Sequence, residues 1–156
     1  MRILNIEDTM LKHLDIARAV KKLGRVELDH AKNLKSGLTM IEASITENRR
    51  YDVIISDMYY PVDEDGVDAD SGNRLIEILK EKEVSIPIII CSTVRFRIPE
   101  ILGVVYYSAN ADWERELLEL LQNQSMTAEE IYAKVNRERE ELEAAKREYA
   151  IAEESH

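Results

Sequence analysis

Short apolar runs alternate with amphipathic stretches along the first 121 residues of the chain. The run YDVIIS shows no polar alternation, as expected of a strand that is buried on both faces. Alternation of strands and helices is typical of a parallel sheet with helices on both sides. The predicted strands are Arg2–Ile6, Arg25–Asp29, Tyr51–Ser56, Ile86–Ser92 and Val104–Tyr107.

The spacing of apolar residues predicts the intervening helices. In the first helix, Leu11, Leu14, Ala17, Val20 and Leu23 recur near helical spacing, and a glycine follows, where helices commonly end. The later helices are predicted at Leu34–Glu47, around Leu75–Leu79, and at Trp113–Leu121.

Two segments interrupt this alternation. The stretch Val62–Gly72 carries five acidic residues, two glycines and no basic residue, and is predicted to be a solvated loop. Only ten residues separate Ser92 from Gly103, and Pro99 lies among them. A full helix does not fit there, so we expect a short turn or an irregular connection.

The composition changes from Met126 onward, and we expect a domain at 1–121 followed by a linker and helix at 122–156. Thr127 and Glu130 form a capping-box pattern, and residues 128–154 contain neither glycine nor proline. Apolar residues recur there at intervals of three, four and seven. Two interpretations stay open: a solvated helix packed on its own domain, or a helix that pairs with a second copy of the chain.

Charge and composition narrow the class of protein. The 156 residues include 31 acidic and 21 basic ones, a net charge of −10, which argues against a nucleic-acid partner. No apolar run approaches the roughly 20 residues of a membrane span, and no signal-peptide pattern begins the chain. The single cysteine, Cys91, fits a reducing compartment. We therefore expect a soluble cytoplasmic protein that binds neither membranes nor nucleic acids.

Polar side chains follow the predicted strands directly. Glu7 and Asp8 come after the first strand, Asp57 after the third, and Ser92 ends the fourth. The carboxyl ends of parallel strands converge on one crevice, so these groups are expected to meet there. Clustered carboxylates repel one another, and oxygen ligands suit Mg²⁺ or Mn²⁺. A carboxylate beside such a cation can act as a nucleophile towards phosphorus.

These motifs resemble the receiver domain of two-component response regulators over residues 1–121. ILNIED is similar to the family's first strand and acidic pair, DVIISDMYYP to its third strand and IPIIICST to its fourth. The resemblance implies a doubly wound, flavodoxin-like α/β fold with five parallel strands in the order 2-1-3-4-5, here with a C-terminal helical extension. It also implies that a histidine kinase or phosphotransfer protein phosphorylates Asp57.

The same resemblance assigns the remaining site residues. Glu7, Asp8, Asp57 and the backbone carbonyl of Met58 correspond to the ligands of Mg²⁺ (or Mn²⁺). Ser92 corresponds to the hydroxyl that contacts the phosphate, and Tyr107 to the switch aromatic.

The chain departs from the family after the fifth strand. Receivers carry a lysine there, whereas GVVYYSANADW has none. Asn110 takes its place if Tyr107 is the aromatic, and Ala109 does so if Tyr106 is. Arg95 or Arg97 are candidate substitutes for the missing charge. The first hypothesis is a stand-alone atypical receiver that is not an enzyme beyond its own phosphotransfer and dephosphorylation. The alternative is a pseudo-receiver, a protein-interaction or dimerisation module that works without phosphate.

Overall fold

The computed structural model describes residues 1–125 and 128–154, which form two units divided after Leu121. The strands are β1 (Arg2–Ile6), β2 (Glu27–Ala31), β3 (Val53–Ser56), β4 (Tyr60–Pro61), β5 (Asp68–Ala69), β6 (Ile88–Ser92) and β7 (Gly103–Tyr106). The helices are α1 (Met10–Lys21), α2 (Leu34–Thr46), α3 (Ser71–Glu81), α4 (Trp113–Ser125) and α5 (Ala128–Glu154).

Five strands form one parallel sheet in the order β2-β1-β3-β6-β7. The short strands β4 and β5 form a separate antiparallel pair, so β6 and β7 are the fourth and fifth strands of the parallel sheet. The predicted fold class and the predicted strand order 2-1-3-4-5 are therefore confirmed. Ile6 is in register with Ser56 of the neighbouring strand. The residues that follow these two, Glu7 and Asp57, therefore leave the sheet side by side at its carboxyl edge.

Both faces of the sheet are covered. Every residue of β3 and β6 is buried, and successive residues contribute to opposite cores. Leu4, Ile54 and Ile90 belong to one core, which also includes residues of α2 and α3. Ile3, Ile55 and Ile89 belong to the other, with residues of α1 and α4. The sequence of β3 does not alternate between apolar and polar residues because both faces of this strand are buried.

Helix α1 presents a different face to the sheet from the one that its leucines indicate. Its buried residues are Lys12, Ile16, Ala19 and Val20. Leu11 is 76% exposed and Leu14 46% exposed. A lysine therefore lies on the packed face of the helix, in its first turn.

The acidic stretch is more ordered than predicted. A solvated loop was expected over residues 62–72, but Asp68 and Ala69 pair with Pro61 and Tyr60, and α3 already begins at Ser71. The tyrosine is fully buried, and Ser71 Oγ donates a hydrogen bond to its carbonyl oxygen at 2.5 Å. These contacts tie both ends of the acidic stretch to the core.

The connection from β6 to β7 contains no helix, as expected from its length. The predicted capping box at Thr127 lies outside the described residues. None of the described helices is both long and apolar enough to cross a membrane.

Candidate functional site

Three carboxylates meet at the carboxyl edge of the sheet. Glu7 and Asp8 follow β1, Asp57 follows β3, and one oxygen of each lies within 4.8 Å of the others. The strand pairing continues one residue beyond Ile6 and Ser56, because the Asp57 N–H donates to the Ile6 carbonyl at 3.1 Å. The backbone therefore fixes the spacing between the two carboxylate-bearing strand ends. We call these three residues with Lys12 the acidic pocket.

The buried carboxylate of the pocket is Glu7, whose side chain is 1% exposed. Its Oε1 accepts a hydrogen bond from the Thr9 N–H at 3.1 Å. Its Oε2 is buried and accepts no hydrogen bond of regular geometry from the described residues. Burial raises the pKa of Glu7 to about 7; nearby Lys12 lowers it and Asp57 raises it.

Asp57 is open to solvent on one side, with 18% of its side chain exposed. Its Oδ1 accepts a hydrogen bond from the Met58 N–H at 2.7 Å. Helix α3 begins directly against this turn: the Gly72 N–H donates to the Met58 carbonyl at 2.8 Å. A Cβ at Gly72 would lie 2.7 Å from the Asp57 carbonyl oxygen, so this close approach requires glycine.

Lys12 supplies the pocket with a positive charge that was not predicted from the sequence. Its Nζ lies 2.9 Å from Glu7 Oε2 and 3.3 Å from Asp57 Oδ1. It also donates a hydrogen bond of 2.6 Å to the carbonyl oxygen of Cys91, on β6. The spacing of Lys12 with Ile16, Ala19 and Val20 is the sequence signal that marks it as part of the packed face.

A carboxylate from the β4–β5 pair stands beside Asp8. Burial raises the pKa of Asp8, and the Asp68 carboxylate raises it further. Like charges placed together favour protonation of one of them. The acidic stretch therefore adds negative potential to the pocket, which its acidic composition and position before α3 could have indicated.

The predicted hydroxyl and aromatic lie at the ends of β6 and β7. Ser92 is buried, and its Oγ accepts a hydrogen bond from the Val94 N–H at 3.2 Å. The Tyr107 ring lies 5.4 Å from Lys12 Nζ, and its hydroxyl donates to an Asp15 carboxylate oxygen. Burial, aided by Asp15, raises the pKa of Tyr107 to about 12.

The candidate substitutes for the missing lysine have other surroundings. The Arg95 guanidinium lies 4.3 Å from the centre of the Tyr106 ring. Arg97 is exposed, as is Asn110, whose backbone N–H donates to Ser108 Oγ at 3.2 Å. The cation in contact with Glu7 and Asp57 is Lys12.

The donor set fits a divalent cation of the Mg²⁺ type. Carboxylate oxygens are the ligands that such ions prefer, and one oxygen from each of Glu7, Asp8 and Asp57 lies within 4.8 Å of the others. One ammonium balances only part of the charge of three ionised carboxylates. The Met58 carbonyl already accepts one hydrogen bond and, like any carbonyl oxygen, retains a second lone pair.

The solved structures that this fold matches include response regulators. CheY4, a chemotaxis response regulator of Vibrio cholerae, is 19% identical over 79% of this chain and 97% of that one, with a TM-score of 0.58. TrrA of Thermotoga maritima, solved with Mg²⁺ and beryllium fluoride, is 23% identical over 79% and 97%, with a TM-score of 0.60. The Mn²⁺-bound response regulator Rcp1 is 18% identical over 81% and 96%, with a TM-score of 0.62.

No protein-family model matches the sequence, and neither does any curated protein. At these identities the likeness establishes the fold: the chain folds as a response regulator receiver domain.

Proposed function

We propose that the protein is an atypical receiver of two-component signalling that accepts a phosphoryl group on Asp57. The observation that carries this proposal is the convergence of the Glu7, Asp8 and Asp57 carboxylates at the carboxyl edge of the sheet, with Asp57 open to solvent. The donor would be a phosphohistidine of a kinase or phosphotransfer protein. Its phosphoryl group can approach from the open side.

The chemistry is a displacement at phosphorus. Asp57 Oδ1 is engaged by the Met58 N–H and Lys12, so Oδ2 is the oxygen with a free lone pair for attack. Oδ2 forms a bond to phosphorus while the bond from phosphorus to the donor nitrogen breaks, and the electron pair stays on that nitrogen. Glu7, Asp8 and Asp57 would hold Mg²⁺ or Mn²⁺, which screens the negative charge of the incoming group when bound.

Intact-mass measurement tests the proposal. Incubation with acetyl phosphate and Mg²⁺ is expected to add one phosphoryl mass to the protein, and Asp57→Asn is expected to abolish the addition. Asp52→Asn is the matched control, because Asp52 precedes β3 at the opposite end and its carboxylate accepts a hydrogen bond from the Arg2 N–H. Equal labelling of the wild-type and Asp57→Asn proteins would contradict the proposal.

The position of Lys12 favours a second candidate function. An ammonium between Glu7 and Asp57 lowers the negative charge that attracts a divalent ion. This favours a pseudo-receiver that binds partners without phosphate. In that case the wild-type protein would gain no phosphoryl mass in the same measurement.

We also propose that α5 pairs with α5 of a second copy. Val135, Leu142 and Tyr149 recur every seven residues, and each is about half exposed or more. The seam of paired helices has two apolar positions in every seven residues. The second position holds Ala145 here but is interrupted by Glu138. Dimerisation through this helix would give the receiver an output surface.

A further inference from the structure

A lysine is buried in the pocket at an electrostatic cost. The Lys12 side chain is 6% exposed, so its ammonium has lost most of its hydration. It also stands in the first turn of α1, near the positive end of the helix dipole, where a cation is disfavoured. A buried ion pair contributes little net stability, because desolvation offsets the attraction. Stability alone therefore does not explain a charged residue at this position.

The surroundings of Lys12 place its charge on the β6–β7 side of Asp57. Its Nζ is bonded to the Cys91 carbonyl, one residue before Ser92. The Tyr107 ring, which follows β7, lies against the same ammonium at 5.4 Å. The segment after this tyrosine, SANAD, contains no basic residue. The positive charge beside Asp57 thus comes from α1, and the end of β7 supplies an aromatic ring.

We infer that Lys12 is the cation that binds the phosphoryl group on Asp57. The inference rests on the proposed phosphorylation of this residue. When Oδ2 becomes bonded to phosphorus, Asp57 loses its own negative charge, and the phosphoryl oxygens carry the negative charge that now lies beside it. The ammonium, 3.3 Å from Oδ1, then exchanges its contact with Asp57 for one with a phosphoryl oxygen. Its bond to the Cys91 carbonyl keeps it in place.

Beryllofluoride, a phosphoryl analogue, provides the test. Its binding is followed by ¹⁹F NMR at saturating Mg²⁺, so that the apparent Kd reports the analogue and not the ion. Lys12→Met is expected to raise the Kd by about ten- to a hundredfold, the effect of losing one charge-assisted hydrogen bond. Lys12→Arg is expected to restore part of the affinity. Lys21→Met, on the exposed end of the same helix, is the matched control and is expected to leave the Kd unchanged.

The outcomes separate the two proposals. Wild-type affinity in Lys12→Met would overturn the role of Lys12 while leaving phosphorylation of Asp57 intact. Absence of any bound signal in the wild-type protein would contradict the proposed function itself, and this inference with it. If Lys12→Met does not fold, Lys12→Gln is measured in its place.

A second measurement uses the wild-type protein, so that its result does not depend on variants in which Lys12 is replaced by an uncharged residue. With ¹³C-labelled lysine, the ε-carbon resonance of Lys12, assigned from Lys12→Arg, is expected to shift on addition of beryllofluoride. A resonance that stays in place while the analogue binds would overturn the inference.

Discussion

The acidic pocket combines one buried carboxylate, two more accessible ones and a buried ammonium. Burial opposes the charge on Glu7, and the nearby Lys12 ammonium favours it by lowering the pKa of this carboxyl group. The charges of Asp8 and Asp57 remain uncompensated by this pair. This imbalance of charge is the physical basis on which we propose a site for a divalent ion.

The reactivity of the Cys91 thiol tests whether strand β6 is buried. Burial raises the pKa of its thiol to about 12, from an ordinary 9.0. At pH 8 the thiolate fraction is therefore roughly a thousandfold lower than that of a free cysteine. We expect iodoacetamide to alkylate the native protein at least a hundred times more slowly than the urea-unfolded chain, measured by intact mass.

The pH dependence of this group has a defined sign. Below pH 9 the thiol is protonated in both states and does not affect stability. Between about pH 9 and 12 only the unfolded chain loses this proton, so the free energy of unfolding falls as the pH rises.

In the iodoacetamide experiment, equal alkylation rates in the native and unfolded proteins would show that Cys91 is not buried.

The position of Lys12 illustrates a point at which the sequence pattern is ambiguous. The leucines of α1 indicate one face, yet the helix packs through Ile16, Ala19 and Val20, which places Lys12 inside and Leu11 outside. Which face of α1 packs against the sheet depends on tertiary contacts with the strands beneath it. A lysine becomes acceptable there only because Glu7 and Asp57, from two other elements, lie within 3.3 Å.

Strands were easier to predict than the connections between them. Runs such as VIIS and IIICS are apolar because both faces are buried, and this signal is local. The β4–β5 pair was missed because its strands are two residues long and lie in an acidic stretch. Its pairing depends on the burial of Tyr60, whose hydroxyl lies 3.0 Å from Ser56 Oγ. That contact involves tertiary structure and leaves no periodic pattern.

The apolar repeat of helix α5 leads to a prediction about the oligomeric state of the protein. If its seven-residue apolar repeat pairs two chains, light scattering is expected to give twice the monomer mass of 18.0 kDa. Leu142→Glu is expected to convert the dimer to monomer, because each buried leucine contributes about 2 kcal/mol. Ala144→Glu adds the same charge two positions along, about 200° around the helix, and is expected to remain dimeric. A wild-type protein that is monomeric at all concentrations would contradict the pairing.

The architecture of residues 1–121 brings the candidate site together from separated parts of the sequence. Parallel strands in the order β2-β1-β3-β6-β7 place the ends of β1 and β3 next to each other. This is why Glu7, Asp8 and Asp57 could be predicted to lie close together from their positions directly after parallel strands. The contributions of Lys12 and Asp68 were not predicted. The spacing of Lys12 with Ile16 and Val20 competes with the leucine pattern of α1, and the way in which the acidic stretch folds back depends on tertiary contacts.

The most direct test is to locate the ion and the phosphoryl analogue together. Crystals grown with Mn²⁺ and beryllofluoride are expected to show an anomalous manganese peak bounded by Glu7, Asp8 and Asp57. The beryllium is expected to be bonded to an Asp57 oxygen. A pocket without manganese, or an ion bound only by the acidic stretch 62–72, would contradict the account.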